Sequence, residues 1–417
     1  MSVSVPVTGS WVQDIQSGTI GAQNFLCLDM QEDPRVTQCT IAAIAGDSTL
    51  VHGNNLGGSR AGGAVRHRCP LWSGVRDDDS DTADAFNHAP AMHRLTAVIV
   101  MVLGLGGCAT HLAPPGEATT IPSATADAFV MRDGARLPYR AWLPDHEPDT
   151  VILALHGMND SRDAWEIPGP AFAQAGIAVF APDQRGFGAS ETRAFWPGAG
   201  GLVADTRAMT EILRGQFPRA RLVLMGESMG AAVLMVLATQ PDAPADVQYV
   251  LIAPAVWGRA KMNPLMRATL WAAAITVPGL RLTGRGLVRV TASDNIDALR
   301  RLSTNPLTIK GTRVDAVRGL VDLMDAAMAS APRFQETALF LYGGRDELIP
   351  PEATAVIWNA MPPGPVRAFY PDSYHLPLRD LGRATPIHDI IAWIRQPRAP
   401  LPSGGDRAAQ AWLGQLE

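Results

Sequence analysis

The sequence predicts an α/β fold: a mostly parallel central sheet with helices on both faces. Three observations carry this. Short unbroken apolar runs recur along the chain, Thr150–Leu155 and Ile177–Ala181 among them, as strands covered on both faces require. Segments of helical spacing separate those runs, the alternation of a parallel sheet with crossover helices. Near the middle, Leu222-Val-Leu-Met-Gly-Glu-Ser-Met-Gly-Ala-Ala-Val233 reads as a strand, a tight turn and an apolar helix.

Taken in order, Ala128–Met131 and Leu137–Trp142 flank Asp133-Gly134, a hairpin signal. The run from Thr150 ends in His156-Gly157. Residues 171–175 fit a helix stopped by Gly176. The strand 177–181 then enters the polar, Gly-rich loop Pro182–Ser190. Leu202–Phe217 has helical spacing, the central strand and its helix follow, and Tyr249–Ala253 is the next strand. From 254 to about 330 the alternation stops, and Trp257, Met262, Met266 and Trp271 lie in what reads as a helical insertion. Alternation resumes with strand Ala338–Tyr342, helix Pro351–Met361, strand Val366–Tyr370 and helix Ala384–Arg395. The expected organisation is therefore a first core part (128–254), a helical cap (255–330), a second core part (331–397) and a flexible Pro/Gly-rich tail (398–417).

Composition narrows the function classes. With 35 basic and 40 acidic residues the formal net charge is −5, which gives no electrostatic footprint for nucleic acid. The four cysteines are Cys27, Cys39, Cys69 and Cys108, so the globular part has neither a disulfide nor a thiolate metal site.

Residues 1–91 show no sustained period and are rich in Gly, Ser, Asn and Asp. They read as a disordered extension, or as residues outside the native protein. The second reading arises because Met92 opens a complete export signal over 92–107. It has a basic start at His93-Arg94, the apolar run Leu95–Leu105, then small residues. That run is shorter than the roughly 20 residues a membrane-spanning helix needs. Its end, Leu105-Gly-Gly-Cys108, resembles a bacterial lipobox. The resemblance implies cleavage before Cys108 and lipidation of that cysteine, with residues 108–127 as a Thr/Pro/Ala-rich tether. Ala109, where retention signals carry aspartate, implies the outer membrane, facing the periplasm. A misassigned start codon is the corollary.

Gly226-Glu-Ser-Met-Gly230 matches G-x-S-x-G. A serine on a sharp strand-to-helix turn is pushed out of the sheet in strained backbone geometry. Side chains two residues before or after it would collide with the neighbouring strand and helix. The N–H of Met229, at a helix N-terminus, can hold a developing oxyanion. A serine hydroxyl also needs a base, and the base a carboxylate to orient it. Only His375 and His388 follow Ser228. His388 lies inside an amphipathic helix and reads as a surface or packing residue; His375 lies in a loop just past the last strand. The acid belongs after the preceding strand, where Gly343-Gly-Arg-Asp-Glu347 offers Asp346, with Glu347 the competitor. Asp346 could instead pair with Arg345 or open the next helix. Asp322 and Asp325 read as solvated charges and Asp183 as a brace for its own loop. The N–H of Met158, after His156-Gly157, is the expected second oxyanion donor, with His156 orienting that loop.

Together these pieces resemble the α/β-hydrolase superfamily, in particular the monoacylglycerol lipase and lysophospholipase group of serine hydrolases, a serine aminopeptidase-type hydrolase domain. The matching segments are His156-Gly157, Asp183–Ser190, Gly226–Gly230, Gly344–Pro350 and Tyr374-His375, within residues 128–396. The resemblance implies Ser228, Asp346 and His375 as a triad, Met158 and Met229 as oxyanion donors, and a cap from the insertion. It implies two-step acyl transfer on a small-molecule ester, an acyl lipid above all, with no metal or organic cofactor. Two departures are Ala231, where the family often has glycine, and Met158-Asn-Asp160, which lacks a usual glycine. A peptidase or thioesterase on the same scaffold, and an envelope lipoprotein using the fold for binding alone, are the alternatives.

Overall fold

The computed structural model describes residues 25–27, 41–45, 49–52, 112–283 and 290–415. Residues 1–87 and 88–417 are separate units. In the first, β1 (Phe25–Cys27), β2 (Ile41–Ala45) and β3 (Thr49–His52) form an antiparallel sheet in that order. The expected absence of regular structure thus fails for these segments. Ile41–Ala45 and Thr49–His52 are short apolar runs around Gly46-Asp-Ser48, a hairpin composition too brief to register as a sustained period. The expected signal at 92–107 and Cys108 lie outside the described residues.

The second unit is built on β4 (Ser123–Ala124), β5 (Ala128–Val130), β6 (Arg136–Trp142), β7 (Thr150–Leu155), β8 (Ile177–Pro182), β9 (Arg221–Glu227), β10 (Val247–Ile252), β11 (Arg281–Leu282), β12 (Thr312–Arg313), β13 (Ala338–Gly343) and β14 (Val366–Tyr370). All but the β11–β12 ribbon join one nine-stranded sheet, ordered β14-β13-β10-β9-β7-β8-β6-β5-β4. From β14 through β8 every pairing is parallel; β6, β5 and β4 extend one edge antiparallel. β7, β8 and β13 are buried at every position, the reason their sequences are continuously apolar rather than alternating.

The helices are α1 (Pro168–Gln174), α2 (Ala199–Gln216), α3 (Met229–Ala238), α4 (Pro264–Thr276), α5 (Ile296–Thr304), α6 (Val314–Ser330), α7 (Pro351–Ala360), α8 (Ala384–Arg395) and α9 (Gly405–Leu413). They sandwich the sheet between two cores. Val151, Leu153 and Leu155 face a core shared with α2, α3, α6 and α7. Ile152 and Ala154 face the other, shared with Phe172 of α1 and Ile387, Ile390, Trp393 and Ile394 of α8. Successive strand residues thus point to opposite layers, as the two-residue period demands.

Three expected boundaries are corrected. Residues 112–127, expected to be a tether ahead of a core that starts at 128, join that core. Ser123–Ala124 forms β4 against β5, Ala113 N–H donates to the Trp196 carbonyl at 2.9 Å and Thr119 N–H to the Arg132 carbonyl at 2.7 Å, contacts that a Thr/Pro/Ala-rich composition does not announce. The cap was expected to run to 330, yet α6 packs on α3 within the core: Leu323 and Ala327 are fully buried, and a Cβ on Gly319 would lie 2.3 Å from Trp196. Helical spacing reveals a buried face but not which layer buries it. The tail expected to be flexible over 398–417 instead carries α9, which packs against β14. Trp412 stacks on Phe369 with centroids 5.0 Å apart and planes 13° off parallel, and Leu401 is buried. The prolines and glycines of 397–405 only shape the turn leading into this helix.

Candidate active site

The strand ends supply the site. β9, at the middle of the parallel sheet, delivers Ser228 at φ 54° and ψ −112°. A non-glycine residue persists there only when its surroundings over-determine it, at a cost of roughly 1–3 kcal/mol. The surroundings do so here. The Ser228 N–H donates to the Ile252 carbonyl at 2.9 Å, and its own carbonyl accepts from Ala232 and Ala255 at 3.1 and 3.0 Å. A Cβ on Gly226 would lie 2.5 Å from the Ala231 nitrogen, and one on Gly230 2.4 Å from the Leu155 carbonyl oxygen. The turn is as tight as the motif predicted.

Past β13, Asp346 is buried, and its Oδ1 accepts the N–H groups of Leu348 and Ile349 at 2.8 and 2.9 Å. Its Oδ2 is left for Nδ1 of His375, 2.8 Å away and also buried, in the loop after β14. A carboxylate only accepts, so Nδ1 carries the proton and Nε2 presents its lone pair. The competitors are elsewhere: Arg345 pairs with Asp372 at 2.5 Å, and exposed Glu347 accepts the Thr291 N–H at 2.6 Å. His388 is exposed on α8.

The loop after β7 borders the serine, since a Cβ on Gly157 would lie 3.4 Å from that of Ser228. Buried His156 braces this loop with both ring nitrogens: Nδ1 meets the Gly157 carbonyl at 2.8 Å, and Nε2 accepts the Gln184 N–H at 3.1 Å. Asp183 braces its neighbour by accepting from Arg162 N–H at 2.7 Å and Ala189 N–H at 2.8 Å. Among the described residues nothing accepts the Met158 N–H. Met229 opens α3, so its N–H has no intrahelical acceptor and lies at the positive end of the helix.

The structure therefore joins His375 to Asp346 and sets Ser228 beside the Gly157 loop. It does not join Ser228 to His375: among the described residues the Ser228 hydroxyl forms no hydrogen bond. In ligand-free sites such bonds are often long and tighten around substrate.

The insertion reaches the same edge. Ile309 N–H donates to the Asn159 carbonyl at 2.9 Å, and Asn159 Nδ2 to Thr312 Oγ1 at 2.6 Å. Its segment 291–295 also clamps the His375 loop, a feature the sequence did not reveal. Leu376 N–H donates to the Ala292 carbonyl at 3.0 Å, and the Ser293 hydroxyl to Asp380 Oδ1 at 2.6 Å; Asp380 Oδ2 takes the Tyr374 N–H at 2.8 Å. Burial pushes the Asp380 carboxyl above its usual range despite these donors.

A parallel sheet, a serine on the strained turn after its middle strand and a buried His–Asp pair at the same edge define an α/β hydrolase of the serine type. The comparisons with known proteins agree. Residues 146–382 match the Hydrolase_4 family, serine aminopeptidase S33, and the chain belongs to that family. It is 23% identical to the monoacylglycerol lipase of Mycolicibacterium smegmatis over 270 residues, 64% of this chain and 95% of that one. It is 25% identical to the monoglyceride lipase of Homo sapiens over 286 residues, 66% of this chain and 92% of that one. Among solved structures, the monoacylglycerol lipase of Paleococcus ferrophilus superposes with a TM-score of 0.53 at 22% identity, over 62% of this chain and 98% of that one. A soluble variant of the Saccharomyces cerevisiae monoglyceride lipase does so with a TM-score of 0.54 at 19% identity, over 67% and 97%. The chain is thus a hydrolase of the lipase and esterase type.

Proposed function

We propose that the protein is a carboxylester hydrolase that acts on lipid-like esters, monoacylglycerols or lysophospholipids, through an acyl-enzyme on Ser228. The observation that carries this reading is the hydrogen-bonded, buried His375–Asp346 pair at the edge where Ser228 stands on its strained turn. In the reaction, His375 Nε2 takes the Ser228 proton as the oxygen attacks the ester carbonyl. Asp346 holds the imidazole and stabilises its charged form. The N–H groups of Met158 and Met229 receive the oxyanion. His375 returns the proton to the leaving alcohol, and water, activated the same way, releases the acid.

The cap supports a lipid-like substrate. On α4 only Ala274 is buried, while Leu265, Met266, Trp271 and Ile275 are exposed. Residues 247–293 contain no Asp or Glu; among their described cations Arg267 and Arg281 are exposed, while Arg259 pairs with Asp322 and Asp325 of α6. An apolar, cation-bearing surface suits an assembly of acyl chains with polar or anionic heads. The two curated relatives named above act, by their names, on monoacylglycerols. We also propose that Cys108 is lipidated and holds the enzyme at the bacterial outer membrane, facing the periplasm; the lipobox-like run before it supports this.

The test is a panel of p-nitrophenyl esters, monoacylglycerols, lysophospholipids, acyl thioesters and aminoacyl amides. Highest kcat/KM on monoacylglycerol or lysophospholipid supports the reading. Preference for the amides or thioesters overturns it in favour of a peptidase or thioesterase. No turnover of any, with no fluorophosphonate labelling, would make the fold a binding scaffold. For the anchor, the intact mass of membrane-extracted protein should fit a chain starting at diacylated Cys108; residues 1–91 in that species would refute it.

A further inference from the structure

The residue before the nucleophile is an acid. Glu227 is 3% exposed, and a Cβ built on Gly157 would lie 3.9 Å from its Oε1 and 3.4 Å from Ser228 Cβ. Its carboxylate therefore faces the same loop that offers the Met158 N–H. A bare negative charge there would oppose any oxyanion forming beside it. The opposing charge comes from Arg379, four residues past His375 and 6% exposed. Its Nη2 contacts Glu227 Oε1 and lies 2.8 Å from Asp160 Oδ2, while its Nε is buried without a partner among the described residues. Both carboxylates thus gather on one nitrogen, the contact of a point charge rather than a two-pronged fork. Burial alone would lower the basicity of Arg379, but the charges of Glu227 and Asp160 more than reverse that. The guanidinium is therefore a permanent cation. Asp160 and Arg379 both line a cavity of about 20 Å³, together with Asp163, Glu166, Arg301 and Asn305.

We propose that Arg379 is a positioning residue that neutralises Glu227 beside the oxyanion pocket, so that acyl transfer at Ser228 does not run against a buried bare carboxylate. The inference rests on the proposed role of Ser228. It differs from a purely structural role, in which Arg379 merely staples the strand end, the His375 loop and the Asp160 loop together. A staple is relieved equally by neutralising either carboxylate; the electrostatic role is relieved through Glu227 alone.

The test measures p-nitrophenyl butyrate hydrolysis by Arg379→Gln, Glu227→Gln/Arg379→Gln and Asp160→Asn/Arg379→Gln, with thermal midpoints for each. Arg379→Gln should lower kcat on the order of a hundredfold, the scale of losing one oxyanion interaction, with KM within about threefold. Adding Glu227→Gln should restore about tenfold of kcat. Adding Asp160→Asn should raise the melting temperature without restoring kcat. Equal recovery of kcat from either neutralisation, or none from Glu227→Gln, overturns the proposal. Should Arg379→Gln fail to fold, Arg379→Lys decides, since it keeps a cation between the two acids. A folded Arg379→Lys enzyme within about tenfold of wild-type kcat supports the proposal, and one down a hundredfold contradicts it. Ser228→Ala run alongside separates the levels: if it retains hydrolysis, the acyl-enzyme reading fails; if it does not, a missing rescue counts against Arg379 alone.

Discussion

The strand ends around Ser228 and helix α4 are both apolar in sequence, and the fold treats them oppositely. On α3 every residue from Met229 to Met235 is buried, and the turn before it is so tight that neither flanking glycine can carry a side chain. On α4, Leu265, Trp271 and Ile275 are each more than half exposed. In the first region apolar residues hold one geometry, because a reacting oxygen misplaced by 1 Å can cost on the order of a hundredfold in rate. In the second those three side chains face outward and stay more than half exposed. Hydrophobicity alone does not separate a scaffold from a contact surface; the packing around it does.

That contrast can be broken at several points. The largest effect should come from Ser228→Ala, which leaves packing intact and should lower ester hydrolysis by about 10³- to 10⁶-fold with an unchanged melting temperature. Next is Gly230→Ala, which drives a methyl into the Leu155 carbonyl. It should cost on the order of 3 kcal/mol in a denaturant titration, and a variant of wild-type stability would show that the turn is looser than described. Trp412→Ala, which removes the ring stacked on Phe369, should cost about 2 kcal/mol while leaving kcat/KM unaffected. On α4, Trp271→Ser should change stability by less than about 0.5 kcal/mol. It should lower activity on micellar monoacylglycerol more than on soluble p-nitrophenyl butyrate; equal losses on both would deny the exposed face a role at a lipid surface.

Much of the site was legible because its pieces are local. Gly226 is required by a contact within one turn and Gly230 by the strand beside it, at Leu155, both implied by the motif's spacing, and Asp346 and His375 each sit just past a strand that reads as buried. What was not legible depends on distant contacts. α6 has the spacing of any amphipathic helix, and only its seat against α3 and Trp196 places it in the core. α9 follows a Pro/Gly-rich stretch that looked like a linker, although Trp412 and Leu401 were a signal of an anchored end. Arg379 is one arginine in a loop until the fold brings Glu227 and Asp160 to it; its spacing of four from His375 was the only local sign.

The most direct test of the central claim is to treat the intact protein with a fluorophosphonate and map the adduct by peptide mass spectrometry. A single adduct on Ser228, lost in both Ser228→Ala and His375→Ala, is the predicted result. Labelling at another serine, or undiminished labelling in His375→Ala, would contradict the assignment of Ser228 as nucleophile and His375 as its base.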